Sequence, residues 1–208
     1  MNSREKEKYW KGLIKQIFKT KNWGYKSFFA FKIVNGFFYD VMFFIHKNSN
    51  SIDVRLEFKP YSLDNLFWEI IDEPNNKKQP LSFRRSAAFC VDPTLLLKYT
   101  INIKDVINPH SELMDLLKSI EQKVEESIRR YLDTNDFLNL ILVQDNKNSS
   151  AVLTSLIELK KYKEVISKVT EYKSSKVNPR FTFSFESGVK DYHDLAKEYC
   201  EKKIMNRK

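Results

Sequence analysis

The first residues that could do chemistry are five cations near the beginning of the chain. They recur every three or four residues, and they are Arg4, Lys8, Lys11, Lys15 and Lys19. At about 100° per residue this spacing places them on one side of a helix, roughly opposite an apolar stripe. A row of cations on a rigid helix can neutralise phosphates or acidic side chains at regular intervals. The pattern predicts either a partner-binding face or a solvated face, since charge runs are usually solvated.

Other patterns that carry chemistry are missing from the sequence. None of the four glycines stands in a Gly-x-Gly-x-x-Gly or Gly-x-x-x-x-Gly-Lys-Ser/Thr pattern, and Gly-x-Ser-x-Gly does not occur. The possible zinc ligands show no paired spacing. These ligands are Cys90, Cys200, His46, His110 and His193. Classical kinases, P-loop NTPases, dinucleotide-fold enzymes and zinc proteins are therefore not expected.

A further group of residues consists of Asp40 and Glu57-Phe58-Lys59, which fall on separate predicted strands. Over residues 3–91, the predicted order of helix, strand, Asp40 strand, Glu57-Phe58-Lys59 strand, helix and strand resembles the core of PD-(D/E)xK nucleases. The resemblance implies that Asp40 and Glu57 bind Mg²⁺. It also implies that Lys59 stabilises the attacked phosphate or the attacking water.

The same residues also have a structural explanation. Tyr39 rather than proline precedes Asp40, and Glu57 and Lys59 belong to the polar face of a cleanly alternating strand. Such a face requires no catalysis to explain it. If the chain is a nuclease, Mg²⁺ is its cofactor and Glu5 or Glu7 could add a ligand; otherwise no cofactor is expected.

Composition and length narrow the class of protein. The chain has 208 residues and a net charge of +9, and 42% of its residues are hydrophobic and 14% aromatic. This is enough apolar material for a core, and the length fits one domain, with or without an appendage. No targeting signal and no apolar stretch of about 20 residues is visible. We therefore expect a cytoplasmic protein with reduced cysteines and no membrane contact.

The positive charge is concentrated in the first part of the chain. Residues 1–32 contain nine Lys and Arg and two Glu, whereas residues 33–100 contain eight residues of each sign. Codon bias toward lysine would spread the charge more evenly than this. The first predicted helix is therefore the surface to test first for a partner.

The first hundred residues predict a helix followed by an antiparallel sheet. Asn35-Gly36 is a strong hairpin signal, because both residues tolerate positive φ. The phenylalanines of this hairpin could stack bases as in an RRM sheet, but no RNP pattern is present, and aromatic side chains in such a hairpin are typical of a core. A helix is predicted over 3–20, strands over 25–34, 37–46, 52–59, 81–91 and 98–106, and a second helix over 63–71 capped by Ser62.

The second half of the chain is predicted to be mostly helical. A long helix covers about 108–131, and residues 137–143 fit either a helix or a strand. Residues 151–173 form one helix or two hinged near Lys160-Lys161. A short strand over 181–185 precedes a final helix. With Gln144–Ser149 as the linker, the expected organisation is an α+β domain over 1–143 and a helical appendage over 150–208 packed on it.

The predicted fold class is α+β, with a helix on a sheet of four or five mainly antiparallel strands and a helical C-terminal half. Trp23-Gly24-Tyr25 after the first helix resembles uncharacterised bacterial α+β domains. This resemblance implies a bacterial or phage origin, in the neighbourhood of toxin-immunity or phage-defence systems. The preferred function is a non-catalytic binding protein whose first helix contacts an acidic protein or a nucleic acid. The alternative is the Mg²⁺-dependent nuclease, and the oligomeric state stays open.

Overall fold

The structure is a computed structural model that describes residues 3–46, 50–86, 89–143, 148–186 and 188–206. The described chain is α+β, as predicted, with a five-stranded sheet and a mainly helical second half. It divides into two compact units, residues 1–58 with 94–130 and residues 59–93 with 131–208. Residues 144–147, most of the expected linker, lie outside the described residues, so the predicted boundary there stays a prediction.

The described residues contain eight α-helices and seven strands. In chain order they are α1 (Ser3–Lys19), β1 (Gly24–Lys26), β2 (Phe29–Val34), β3 (Phe37–His46), β4 (Ser51–Pro60), α2 (Tyr61–Ile70), α3 (Phe83–Ser86), β5 (Thr94–Asn102), α4 (Pro109–Arg130), α5 (Thr134–Val143), α6 (Ser149–Glu158), α7 (Tyr162–Ser174), β6 (Thr182–Phe185), β7 (Gly188–Asp191) and α8 (Tyr192–Met205). A 3₁₀ helix, Pro74–Lys78, lies in the predicted polar loop after α2. The first sheet has the order β1-β2-β3-β4-β5, and β6 and β7 form a separate pair.

α1 is amphipathic, as predicted. Trp10, Ile14, Ile17 and Phe18 are buried along one stripe. Phe18 packs edge-to-face on Phe43 of β3, with ring centroids 5.2 Å apart. α1 therefore covers the sheet face that carries the odd-numbered side chains of β3, because side chains alternate along a strand.

β2 and β3 form the hairpin predicted from Asn35-Gly36. The φ angles of the two turn residues are 48° and 78°, as this turn requires. The prediction of a single strand over 25–34 is wrong, because this segment contains two strands, β1 and β2. Ser27 has a φ of 57° and turns the chain back, so β1 pairs antiparallel with β2. Sequence reasoning missed this second turn because Ser27-Phe28 contains no glycine or asparagine.

β4 shows the alternation predicted for it. Ile52, Val54, Leu56 and Phe58 are each at most 1% exposed. Phe58 stacks on Tyr39 of β3 with ring centroids 5.8 Å apart, so this apolar row faces the same side as α1. The prediction is wrong at Lys59. That residue was assigned to the polar face but is completely buried, because its ammonium is enclosed by partners within the second unit.

α4 is the predicted long helix, and it packs on the same sheet face as α1. Ser127 Oγ and Tyr39 Oη lie 2.9 Å apart. Glu121 accepts hydrogen bonds from Trp23 Nε1 at 2.5 Å and from Lys32 Nζ at 2.8 Å. These bonds attach α4 to the chain after α1 and to β2.

The second unit begins with α2, and two predictions near it are wrong. Pro60 rather than Ser62 is at the N-cap position, and no side chain caps α2. The strand predicted over 81–91 is not formed, because the described residues of that segment contain α3 and irregular chain. The polar groups of Arg84 and Val91 bond to residues of α2 and to Lys59 instead of to a neighbouring strand.

The remaining helices of the second unit follow the sequence pattern closely. Residues 137–143, which fitted either element, belong to α5. Lys160 has a φ of 60° and separates α6 from α7, which confirms the predicted hinge. The predicted strand over 181–185 is present as β6, but its antiparallel partner β7 was not predicted. Within this unit Phe67 of α2 stacks on Tyr192 of α8, with ring centroids 4.6 Å apart.

Candidate functional site

The basic face of α1 is defined as Arg4, Lys8, Lys11, Lys15 and Lys19. All of its members are exposed except Lys11, which is half-buried. From Lys8 to Lys19 the face extends over about 16 Å, at 1.5 Å of rise per residue. Within the described part of the chain, no carboxylate lies at ion-pair distance from Lys8, Lys15 or Lys19. These three ammonium groups are therefore available to an outside partner.

Two cations of the N-terminal region are neutralised inside the first unit. Lys11 Nζ lies 2.7 Å from Glu7 Oε1, one helical turn earlier. Lys32 Nζ bonds both carboxylate oxygens of Glu121, at 2.8 and 2.9 Å. It also lies 4.6 Å from the centre of the Trp23 ring. Lys11 is therefore the least available member of the basic face, and Lys32 is a structural residue.

Gly12 leaves a gap in the side chains of the basic face. It stands between Lys8 and Lys15, and a Cβ added there would meet no atom within 4 Å. Glycine inside a helix costs roughly 0.5–1 kcal/mol relative to alanine. We expect Gly12→Ala to raise the free energy of unfolding by about this amount, measured by urea denaturation. A loss of stability would contradict the open surroundings of this position.

Asp40 and Glu57 lie on adjacent strands and on the same face of the sheet. The stack of Tyr39 on Phe58 places those rings on the face covered by α1, so the neighbouring Asp40 and Glu57 point to the opposite face. Asp40 is completely buried and Glu57 is half-buried. Glu5 and Glu7 are carried by α1 on the other side of the sheet. They are therefore not positioned to add a ligand to this pair.

Lys59, the third residue of the predicted nuclease site, is engaged elsewhere. Its Nζ donates to Asp64 Oδ1 at 2.9 Å, to the carbonyl oxygen of Arg84 at 2.9 Å and to that of Val91 at 2.5 Å. An ammonium has three protons, so these acceptors use all of its donors. The nuclease hypothesis stays a prediction, favoured by the shared face of Asp40 and Glu57 and opposed by the bonding of Lys59.

Lys59, Asp64 and Arg84 form a buried charge cluster, in which no member is more than 3% exposed. Asp64 also accepts a hydrogen bond from the Val91 backbone at 2.9 Å, and its other oxygen lies 3.4 Å from Arg84 Nη1. The guanidinium of Arg84 lies over the ring of Tyr61, 3.5 Å from its centre. The cluster holds Arg84 and Val91 against α2. No spacing rule could have found it, because its members are separated by up to 25 residues of sequence.

A serine–histidine contact is also buried in the second unit. His193 Nε2 lies 2.8 Å from Ser149 Oγ, and Ser149 Oγ lies 3.2 Å from the carbonyl oxygen of Asn178. The single proton of the serine hydroxyl can point to this carbonyl or to the histidine nitrogen, according to the histidine tautomer. Nucleophilic catalysis would also require that a substrate reach the serine oxygen. Both side chains are at most 2% exposed. The contact is therefore a structural tie between α6 and α8.

Burial lowers the pKa of His193 below its ordinary value of 6.5, because desolvation disfavours the charged imidazolium. The unfolded chain then binds a proton near pH 6.5 that the folded chain binds only at lower pH. The stability contributed by this histidine is therefore complete above about pH 6.5 and is lost as the pH falls below it. We expect the free energy of unfolding to fall as the pH drops below about 6.5, and to fall less steeply in His193→Gln. Urea denaturation at several pH values would measure this. If the free energy of unfolding depended equally on pH in the wild type and in His193→Gln, the prediction would be contradicted.

The two cysteines of the chain are buried thiols. Burial raises the pKa of Cys90, and it raises that of Cys200 to about 12, so both are protonated at neutral pH. In the described ranges, no three His, Cys, Asp or Glu side chains are grouped so that they could hold a metal ion. None of the described helices is long and apolar enough to cross a membrane.

No protein-family model, curated protein or solved structure matches the chain.

Proposed function

We propose that this protein is a non-catalytic binding protein of the cytoplasm that contacts an acidic partner, either a nucleic acid or a protein, through the basic face of α1. The observation that carries the proposal is the exposure of Lys8, Lys15 and Lys19 along one side of the helix, with no acidic partner among the described residues. Some surface lysines elsewhere in the described chain are paired, as Lys77 is with Glu69 and Lys118 with Asp115.

The fold supports this proposal by holding the cations in fixed positions. Trp10, Ile14, Ile17 and Phe18 anchor the opposite side of α1 by their burial. The backbone positions of the lysines are therefore set before binding, and only the side chains lose freedom. Preorganisation of this kind lowers the entropic cost of association. The anchored helix presents Lys8, Lys15 and Lys19 at intervals of seven and four residues, about 10.5 and 6 Å along its axis, to a phosphate chain or a row of carboxylates.

Salt dependence of binding tests this function. Fluorescence anisotropy would follow three labelled polyanions: a DNA duplex of about 20 base pairs, a single strand of the same length and polyglutamate. Each would be titrated between about 50 and 200 mM salt, the range over which counterion release changes affinity strongly. We expect at least one polyanion to bind at low salt and to bind much more weakly at high salt. Failure of all three to bind, or an affinity that does not change with salt, would contradict the proposal.

The nuclease alternative is tested on the same duplex. If the binding proposal is correct, Mg²⁺ produces no cleavage. Cleavage that requires Mg²⁺ and is lost in both Asp40→Asn and Glu57→Gln would favour the nuclease instead. Such a result would not depend on the basic face, so the two functions are distinguishable.

A further inference from the structure

β5 is the last strand of the first sheet, and its outer edge has no partner strand among the described residues. It runs over nine residues, Thr94–Asn102, and pairs antiparallel with β4 on its inner side. Lys98, Tyr99 and Thr100 are three consecutive exposed residues, so the middle of this edge is open on both faces of the sheet. An open edge of this length can pair with another strand.

The register of the β4–β5 pair shows which backbone groups point outward from β5. The backbone nitrogen of Ile103 donates to the carbonyl oxygen of Asn50 at 2.8 Å, so these two residues form a hydrogen-bonded pair. In an antiparallel ladder such pairs recur at every second residue. Ile101 and Tyr99 therefore bond to β4, whereas the N–H groups of Lys98, Thr100 and Asn102 point away from it.

The outer edge carries little of the protection that usually blocks strand pairing. Lys98 is the only charged residue in the strand, and no proline interrupts it. Leu95 and Tyr99 are 44% and 43% exposed. Natural edge strands commonly prevent pairing with several charges, proline or a bulge in the exposed middle. The register of β4 and β5 leaves Leu96 of β5 without an opposite residue, because Leu56 pairs with Leu97 and Glu57 pairs with Leu95. This bulge lies toward one end of β5, and the stretch from Leu97 to Ile101 is regular.

We propose that the edge of β5 pairs antiparallel with β5 of a second copy of this chain, around a two-fold axis at Tyr99. An axis at Lys98 would set Lys98 against itself, and like charges directly opposite are unfavourable. The axis at Tyr99 places Lys98 opposite Thr100, Leu97 opposite Ile101, and Tyr99 opposite Tyr99. It pairs the five regular residues from Leu97 to Ile101 of each strand and connects the outward donors of Lys98 and Thr100.

A second copy fits this edge better than an unrelated charged peptide. The edge is almost neutral, so it offers no charge that would select an acidic or basic segment. The sequence is instead complementary to itself, because every pair across the Tyr99 axis is aliphatic, aromatic or neutral against charged. Two-fold dimers are also the commonest closed assemblies. Five residues a side make a small interface, so we expect a dissociation constant on the order of 10–100 μM.

Disulfide trapping tests the register directly. Residues opposite each other in a non-hydrogen-bonded pair have Cα atoms about 4.5 Å apart, which a disulfide can bridge. Tyr99→Cys should therefore cross-link into a dimer under mild oxidation. Thr100→Cys is the matched control, because it lies one residue away and is also exposed. The Cα atoms of residue 100 in the two chains would be about 9 Å apart, beyond the reach of a disulfide. Equal cross-linking of both variants, or of Thr100→Cys alone, would overturn the proposal.

A comparison of Lys98→Pro with Lys98→Gln tests whether backbone hydrogen bonds of β5 hold the dimer together. Both variants lack the charge, but only proline lacks the outward N–H, and an edge position of this kind tolerates proline. In sedimentation equilibrium we expect the dissociation constant of Lys98→Pro to be about tenfold higher than that of Lys98→Gln. Circular dichroism would show that both variants are folded. Wild-type protein that is monomeric up to several hundred micromolar would overturn the proposal, whatever the variants do.

Discussion

Replacing Lys59 with methionine is expected to lower the free energy of unfolding of the second unit by about 3–5 kcal/mol, the usual cost of removing one partner of a buried ion pair. The substitution keeps an unbranched side chain of similar length but removes the ammonium. The carbonyl oxygens of Arg84 and Val91 then lose their donor, and both bonds are shorter than 3 Å. Asp64 loses its nearest cation in a site with no water exposure.

Lys77→Met is the matched control for this prediction. Lys77 is also bonded to a carboxylate in the second unit, Glu69, but both side chains of that pair are substantially exposed. Exposed ion pairs contribute about 0–1 kcal/mol, so this variant should be nearly as stable as the wild type. Urea denaturation, followed by tryptophan fluorescence and circular dichroism, would measure both variants. If Lys59→Met lost no more stability than Lys77→Met, the buried charge cluster would not hold the second unit together.

Replacing Lys8, Lys15 and Lys19 together by glutamine is expected to weaken binding to a polyanion about 10- to 100-fold at low salt. Each phosphate contact that disappears should also reduce the slope of log affinity against log salt by about 0.9 on duplex DNA. Glutamine keeps helix propensity close to that of lysine, so α1 should remain folded. Anisotropy titrations at several salt concentrations would give both the affinity and the slope.

The control is a second triple variant, in which three lysines outside α1 are replaced by glutamine, so that both variants have the same net charge. Lys104, Lys163 and Lys202 are exposed and do not belong to α1; two of them lie on α7 and α8. If the net charge of the protein alone attracted the polyanion, both triple variants would bind equally weakly. Binding through α1 predicts that the control keeps nearly the wild-type affinity and slope.

Local patterns in the sequence predicted most of the first sheet and most of the helices. The apolar spacing of α1, the Asn35-Gly36 turn and the alternation of β4 depend on neighbouring residues, so the sequence shows them directly. A strand was predicted over 81–91, but Arg84 and Val91 bond to Asp64, which lies 20 and 27 residues earlier in the chain. The spacing of apolar and polar residues within a short segment cannot reveal hydrogen bonds to a residue so far away in the sequence.

Some features of the candidate site could likewise be predicted from neighbouring residues, whereas others depend on distant contacts. Helical spacing alone predicted that the cations of α1 share one exposed face, and the structure shows that exposure. The pairing of Lys11 with Glu7 follows from their separation of four residues and could have been predicted. The role of Lys59 could not, since strand alternation assigned it to a solvated face. The open edge of β5 becomes visible only when the order of the strands is known.

The most direct test of binding through α1 is lysine footprinting of the wild-type protein. An amine-reactive ester would label the protein with and without the polyanion that binds it best, and mass spectrometry would read the modification of each lysine. Binding through α1 predicts that Lys8, Lys15 and Lys19 become several-fold less reactive in the complex while Lys104, Lys163 and Lys202 stay unchanged. Equal protection of both groups, or protection of the second group alone, would contradict it.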